Sequence, residues 1–272
     1  FGDRTGLVAA ALWCIAPLMP LVYSMYVMVG PVENLLVVVL AVGFWARLSD
    51  PVRSPSRTFI FLTGTAAGAA LWVNAQILYV LVPLWLLLLT PMNHYRSRGF
   101  FALFFGGLFV GSFPLLIYNI QYPFATLQFL LLSDGKGTLF SNFRGDFLRG
   151  AAPVLLGMKN AWRLMDYLSL WPTAFGPALL AIGAILCAAW KLATHWKRDR
   201  NKYPGGNARL LFLMACLLFG ILVFSMSNFP GKAPRHLFLI YPIYLFLLAW
   251  AIGALWRHSA TAACLLLGLQ LF

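Results

Sequence analysis

Long apolar runs separated by short polar breaks dominate the pattern of the chain. Runs such as residues 6–29, 173–193 and 237–256 have about the 20 residues that a transmembrane helix needs. The run 58–89 is too long for one ordinary span and has a polar break at Asn74 and Gln76. It therefore predicts two short spans in a hairpin, and Gly64 and Gly68 would let the first of these pack closely against another helix. The run 99–118, which carries Gly106, Gly107 and Gly111, predicts a further single span. Along the whole chain, the pattern predicts an all-α transmembrane bundle of about nine membrane segments.

The longest stretch without a spanning run covers residues 120–171 and includes the turn cluster Ser133-Asp-Gly-Lys-Gly137. Its aromatic residues and leucines are typical of amphipathic segments that lie in the membrane interface. We predict a single transmembrane domain over residues 1–272, with an outer interfacial loop at 120–171 within it. The first residue is Phe1 and the final apolar run, 260–272, is shorter than a span, so we expect a fragment of a longer chain.

The composition changes this picture in two respects. The chain is 61% hydrophobic and only 10% charged, with a mean hydropathy of +0.82, as expected for a polytopic membrane protein. The net charge of +13 comes from 20 Lys and Arg against 7 Asp and Glu between the apolar runs. Anionic lipid headgroups, rather than nucleic acid, are the expected counter-charge. The four cysteines lie in apolar runs without CxxC spacing, which indicates neither a metal site nor a disulfide.

The distribution of cations between alternate loops predicts the orientation of the spans. One side receives Arg4, Arg47, Arg53, Arg57, Arg96, Arg98, Lys191, Lys197, Arg198, Arg200, Lys202, Arg209 and Arg257. The other side receives Lys136, Arg144, Arg149, Lys159, Arg163, Lys232 and Arg235. The positive-inside rule places the first group in the cytoplasm. Glu33, the Asn74 turn, the 120–171 loop and the turn 228–236 are then predicted to face outside.

A basic turn precedes the predicted eighth span and is the principal candidate site. Lys232, Arg235 and His236 lie in a stretch whose backbone is restricted by Pro230, Gly231 and Pro234. Arginine binds phosphate oxygens in a bidentate geometry, so a rigid basic turn at a membrane surface suits a lipid-borne phosphate. The alternative is that these residues are snorkelling anchors for outer-leaflet lipids.

Acidic residues on the predicted outer side could complete such a site. Glu33 stands at the start of the second span. There it either stabilises the helix dipole, by ~0.3–1 kcal/mol, or lines a cavity as a base, a sugar-hydroxyl ligand or a metal ligand. Arg144 and Arg149 alternate with apolar residues, as in a surface helix that binds anionic lipid. Asp146 and Asp166 are candidates for a second acid.

Several chemistries have no motif in the chain. The sequence contains no GxxxxGK[ST], HExxH or GxSxG pattern and no nucleotide-binding glycine fingerprint. His94, His195 and His258 fall on the predicted cytoplasmic side without metal-ligand spacing. We assign no metal site, although a divalent metal stays open as a cofactor.

Five segments together resemble the GT-C membrane glycosyltransferases, nearest the protein O-mannosyltransferases and the bacterial aminoarabinose transferases of lipid A (glycosyltransferase 39 and 83 type). They are Phe1-Gly-Asp-Arg4, Tyr26 with Pro31-Val-Glu33, the hairpin with Gly64 and Gly68, Pro114-Leu-Leu-Ile-Tyr-Asn119, and Ala233-Pro-Arg-His-Leu-Phe-Leu-Ile-Tyr-Pro242. The last segment is the most specific. It is similar to the family's Arg-Tyr-Leu-x-Pro-x-x-Pro motif, with His236 where tyrosine is commoner.

The resemblance implies transfer of a sugar from a polyprenyl phosphate to an acceptor lipid, glycan or protein, on the outer face of a bacterial inner membrane. By similarity, Arg235 would contact the lipid phosphate and Glu33 would lie at the active cavity. The family's principal catalytic acid lies in the first outer loop, before the part matched here, so the chain alone is expected to be catalytically incomplete. A non-catalytic scaffold subunit of a larger membrane complex is the second hypothesis, and a secondary transporter is the third.

Overall fold

The computed structural model describes residues 8–9, 31–50, 54–73, 75–90, 95, 97–123, 143–151, 182–194, 204–226, 240–261 and 263–264. Every regular element in these ranges is helical, which confirms the all-α prediction for the described part of the chain. The elements are α1 (Pro31–Leu48), α2 (Arg57–Val73), a 3-10 turn (Ala75–Ile77), α3 (Leu78–Leu88), α4 (Arg98–Gly111), α5 (Phe113–Gln121), a π-helix (Phe143–Ala151), α6 (Ile182–Thr194), α7 (Pro204–Met226) and α8 (Tyr241–Trp256).

Local sequence signals account for several of the helix starts. The Oγ of Ser56 accepts a hydrogen bond from the amide of Phe59 at 3.1 Å, just before α2. Ser97 does the same for the amide of Phe100 at the start of α4, also at 3.1 Å. These side chains satisfy amides that have no partner in the first turn of a helix. Helices α5 and α8 have proline in the first turn, where its missing N–H costs nothing.

The predicted hairpin in residues 58–89 is confirmed as two helices. Helix α2 ends at Val73, a 3-10 turn follows, and α3 begins at Leu78; Asn74 itself lies outside the described residues. The predicted single span at 99–118 is instead two helices, since α4 and α5 are bent by 58° at Ser112. The bend falls two residues before Pro114, whose ring and missing N–H prevent a straight helix from continuing.

Contacts between helices establish their relative directions. Trp45, near the end of α1, donates a hydrogen bond to the carbonyl oxygen of Ala208, near the start of α7. The guanidinium of Arg47, also near the end of α1, lies 5.8 Å from the ring centroid of Phe59, near the start of α2. The start of α3 packs against the second half of α7, because Tyr79 lies beside Gly220. Helices α1 and α3 therefore run opposite to α2 and α7.

Helices α1 and α3 finish at one end of the bundle, and α2, α4 and α7 begin there. We call this end the basic end. Helix α6 also finishes there, since the ammonium of Lys191 lies 5.6 Å from the ring centroid of Trp250, in the second half of α8. Among the cations whose side chains are described, the basic end holds Arg47, Arg57, Arg98, Lys191, Arg209 and Arg257. Arg144, on the π-helix, lies at the opposite end. This grouping matches the predicted partition of cations; which end is cytoplasmic stays a prediction.

Helices α2 and α4 pack in parallel along a seam of glycines. Gly64 and Gly68 of α2 face the backbone of α4, and Gly107 and Gly111 of α4 face the backbone of α2. A Cβ at any of the four positions would collide with a carbonyl oxygen of the other helix. The sequence prediction that Gly64 and Gly68 allow close packing against another helix is confirmed. The motif is GxxxG on both helices, which lets two backbones approach closely.

The main core lies beside this seam and links it to α1. Phe44 is fully buried and its ring stacks on those of Phe100 and Phe104, with centroid distances of 6.3 and 5.6 Å. Trp45 is buried against Phe212 of α7 at 6.1 Å. These aromatic contacts bring α1, α4 and α7 into one cluster at the basic end, where offset and tilted rings each add a favourable pair interaction.

One helix of the described part, Asn207–Ser225 within α7, is long and apolar enough to cross a membrane. Helices α4 and α5 pass the same test together if the bent pair is counted as one span. The other apolar helices have 10–17 residues. The fold is thus a helical bundle with one full-length candidate span, and the number of nine segments stays a prediction. The predicted loop 120–171 is described only at 120–123 and 143–151.

Candidate functional site

The structure describes some of the predicted site residues fully, some by their backbone alone, and others not at all. Glu33 is in the first turn of α1, where the backbone is described but the side chain is not. Arg144 and Arg149 lie on the π-helix; the side chain of Arg144 is exposed and that of Arg149 is not described. Outside the described residues lie Asp166, Lys232, Arg235 and His236.

Glu33, the π-helix and the two described residues that flank the basic turn all lie at the end opposite the basic end. Glu33 precedes Trp45 by twelve residues on one helix, which places it ~18 Å along the axis from the basic end. The π-helix packs on the far end of α7, where the rings of Phe147 and Phe224 lie 6.4 Å apart. Ile240, which follows the basic turn in the chain, packs against Gly220. Both residues that flank the turn region, Met226 and Ile240, are therefore at this end.

The π-helix has one apolar side and one exposed basic side. The rings of Phe143 and Phe147 stack at 5.5 Å, and Phe147 also packs against the main core. Arg144 and Leu148 are exposed. The predicted surface helix with mixed apolar and basic character is therefore present as a helical segment, and its π form is a local geometry often found at functional positions.

A buried polar cluster at the basic end was missed by the sequence analysis. Ser49 is fully buried and its hydroxyl donates to the carbonyl oxygen of Trp45 at 2.8 Å. A guanidinium N–H of Arg209 donates to the carbonyl oxygen of Ala46 at 3.3 Å, and Asp50 has a favourable Coulombic interaction with Arg209. Ser49 and Arg209 thus donate hydrogen bonds to carbonyl oxygens at the end of α1. A positive charge near this C-terminus also interacts favourably with the helix dipole.

The same cluster contains donors without a partner among the described residues. Asn207 is 6% exposed, and its buried Nδ2 donates to no acceptor among the described residues; the same holds for the Nε of Arg209. Both residues directly precede the apolar run of α7. That position at the edge of an apolar run is the only signal for them in the sequence.

A cleft of about 700 Å³ opens at the basic end between the starts of α2 and α4. Its exposed polar lining includes Arg57 and Ser97, and its buried lining includes Ile60 and Phe100. The hydroxyl of Tyr95 is tied back by a 2.8 Å hydrogen bond to the carbonyl oxygen of Asp50. The cleft therefore offers a cationic group beside an apolar wall, an arrangement suited to an amphipathic anion.

Metal ligation is not supported by the described side chains. No group of three or more His, Cys, Asp and Glu residues lies close enough to hold a metal ion within the ranges described. Because the side chains of Glu33 and Asp166 are outside those ranges, the question of a divalent metal at the opposite end stays open.

No family model, curated protein or solved structure matches the chain.

Proposed function

We propose that the chain is the membrane part of a GT-C type glycosyltransferase, which moves a sugar from a polyprenyl phosphate to an acceptor lipid, glycan or protein on the outer face of a bacterial inner membrane. The observation that carries this proposal is the placement of Glu33 and of both flanks of the Lys232–His236 turn at the end opposite the basic end. A carboxylate and a set of cations at one membrane face are the minimum that such a transfer needs.

Placement in a bilayer is supported by the surfaces of the short helices as well as by α7. Large apolar side chains stand exposed on several of them, among them Trp190 at 71%, Leu62 at 57% and Phe109 at 60%. Exposed apolar side chains in this number are unfavourable in water and favourable against lipid tails. The cations gather beyond the apolar stretches, where side chains reach the headgroups.

The proposed chemistry divides between the two kinds of group. The hydroxyl oxygen of the acceptor forms a bond to the anomeric carbon, and the bond from that carbon to the phosphate oxygen breaks. The cations of the Lys232–His236 turn stabilise the negative charge that grows on the departing polyprenyl phosphate. A carboxylate such as Glu33 accepts the proton of the incoming hydroxyl.

A binding experiment tests the proposal at the phosphate. The protein is reconstituted in bilayer discs, and retention of a polyprenyl phosphate is compared between wild type, Arg235→Ala and Arg257→Ala. Arg257 is an exposed cation at the basic end and serves as the matched control. We expect Arg235→Ala alone to weaken retention about ten-fold, the loss of one charge-assisted hydrogen bond. Equal retention by all three proteins would reduce the turn to a membrane anchor.

The scaffold hypothesis is weakened by the glycine seam. A scaffold subunit would use glycines of this kind against a helix of another chain, whereas Gly64, Gly68, Gly107 and Gly111 all lie between α2 and α4 of the same chain. A scaffold would keep the turn as an anchor and bind no polyprenyl phosphate, so the same experiment separates the two functions.

A further inference from the structure

The cleft at the basic end is a consequence of the parallel packing of α2 and α4. Since the two helices run in the same direction, their first turns lie side by side. Each helix begins with an arginine, Arg57 and Arg98, and both side chains are exposed. The two adjacent helix starts and the guanidinium group of Arg57 make the cleft electropositive, whereas Arg98 does not line it. No Asp or Glu is among the described residues that line the cleft.

The lining divides into two chemical halves. Ile60 and Phe100 are 6% and 3% exposed and form apolar wall together with Leu103. Arg57 and Ser97 are exposed and polar. A compact free anion would leave the apolar half uncovered, whereas an apolar molecule would leave Arg57 without a counter-charge. A volume of about 700 Å³ is in the range that holds a sizeable organic ligand.

We propose that this cleft binds an anionic glycerophospholipid, with the headgroup phosphate at Arg57 and an acyl chain along Ile60, Phe100 and Leu103. In a bilayer the starts of α2 and α4 lie at headgroup level, because the apolar part of both helices follows directly after Arg57 and Arg98. A lipid of the same leaflet has its phosphate at headgroup level and its acyl chain deeper in the membrane. The cleft has its cation and its apolar wall in the same order. The inference rests on the membrane placement in the proposed function and is independent of sugar transfer.

Two variants test the two halves of the cleft separately. Arg57→Ala removes the cation, with Arg98→Ala as the control, since Arg98 is exposed at the same level but does not line the cleft. Gly99→Trp fills the space, because a Cβ at Gly99 meets nothing within 4 Å. Gly106→Trp is its control, since Gly106 is on the same helix, has the same free space and is not part of the cleft.

The measurement is native mass spectrometry of the full chain released from bilayer discs that contain equal phosphatidylglycerol and phosphatidylcholine. We expect the wild type and both controls to retain phosphatidylglycerol, and Arg57→Ala to retain about ten-fold less, as for the loss of one charge-assisted contact. Gly99→Trp should also retain less, because the indole occupies the space of the acyl chain. Inorganic phosphate added to the discs should not displace the lipid.

Three results would overturn the inference. Retention of phosphatidylcholine equal to that of phosphatidylglycerol would show that charge is not recognised, and displacement by inorganic phosphate would make the ligand a free anion. Unchanged retention in both cleft variants would place the lipid elsewhere on the protein. A chain that does not stay with the bilayer would overturn the membrane placement as well, whereas failure of the transferase assay alone leaves this site untouched.

Discussion

The indole Nε1 of Trp45 donates a hydrogen bond to the carbonyl oxygen of Ala208, with 2.8 Å between the two atoms. The residues are 163 positions apart in the chain, and both are buried. The bond joins the end of α1 to the start of α7 at the basic end. Since a buried polar group without its partner is costly, this bond also resists sliding of α7 along α1.

Trp45→Phe should destabilise the protein, because it removes the donor and leaves a small void. We expect a loss of about 1–3 kcal/mol in the free energy of unfolding, measured as a lower thermal midpoint in detergent. Trp72→Phe is the matched control, since Trp72 is 56% exposed and should tolerate the change. A similar loss in both variants would mean that the Trp45 bond carries no particular weight.

Gly64→Ala should disrupt the parallel pair α2 and α4. The added Cβ would collide with the backbone carbonyl of Phe104, which cannot rotate away as a side chain could. Overpacking of this kind costs about 1–3 kcal/mol, measured by unfolding in detergent. Gly106→Ala, where a Cβ meets nothing within 4 Å, should be neutral or stabilising. If the two variants unfold alike, the seam is looser than the contacts indicate.

Arg209→Met should destabilise the junction of α1 and α7. Methionine keeps most of the side-chain length but removes the donor to the Ala46 carbonyl and the charge that Asp50 stabilises. We expect a loss of about 1–3 kcal/mol, typical of a hydrogen bond from a charged group. The exposed Arg257 provides the control Arg257→Met. A thermal midpoint that falls equally in both would attribute the effect to charge alone.

Features that depend on single residues or on one run of sequence were predictable. The polar break after Val73 predicted the α2–α3 hairpin, and the spacing of Gly64 and Gly68 predicted a close helix contact, because both follow from local chemistry. The all-α class followed from run length in the same way. The identity of the partner helix α4 did not, since it depends on how distant segments meet.

Features that depend on the environment of a residue were not predictable. Asn207 and Arg209 stand at the edge of an apolar run, and their burial depends on how α7 packs against other helices, which the run itself does not show. The bend at Ser112 has a local signal in Pro114, but that signal does not fix the angle of 58° between α4 and α5. For the candidate site, the backbone of Glu33 and the exposed Arg144 lie at the same end of the bundle, while Arg235 lies outside the described residues, so its contact with a phosphate stays a prediction.

The orientation of the bundle predicts which positions react with an impermeant thiol reagent. Cys187 and Cys264 are exposed, so all native cysteines are first replaced. In that background, Gly231→Cys should react in intact cells, and Ser54→Cys, an exposed position near the start of α2, should react only after lysis. The positive-inside rule is the physical reason. The reverse labelling pattern would show that the bundle has the opposite membrane orientation, with the basic turn in the cytoplasm.

Glu33→Gln separates the two hypotheses for this residue, because glutamine keeps the size and hydrogen-bonding capacity of the side chain but removes its charge. As a helix-start charge in the first turn of α1, Glu33 would contribute ~0.3–1 kcal/mol to stability and nothing to turnover. As the base of the transfer, it would contribute at least about ten-fold to turnover. We expect the second result in the full-length protein, measured as sugar transfer from a polyprenyl phosphate to the acceptor. Glu33→Asp, which keeps the charge, should retain part of the activity and the same pH profile. Normal turnover in Glu33→Gln, with a slightly lower thermal midpoint, would assign Glu33 to the helix and leave the base to another residue.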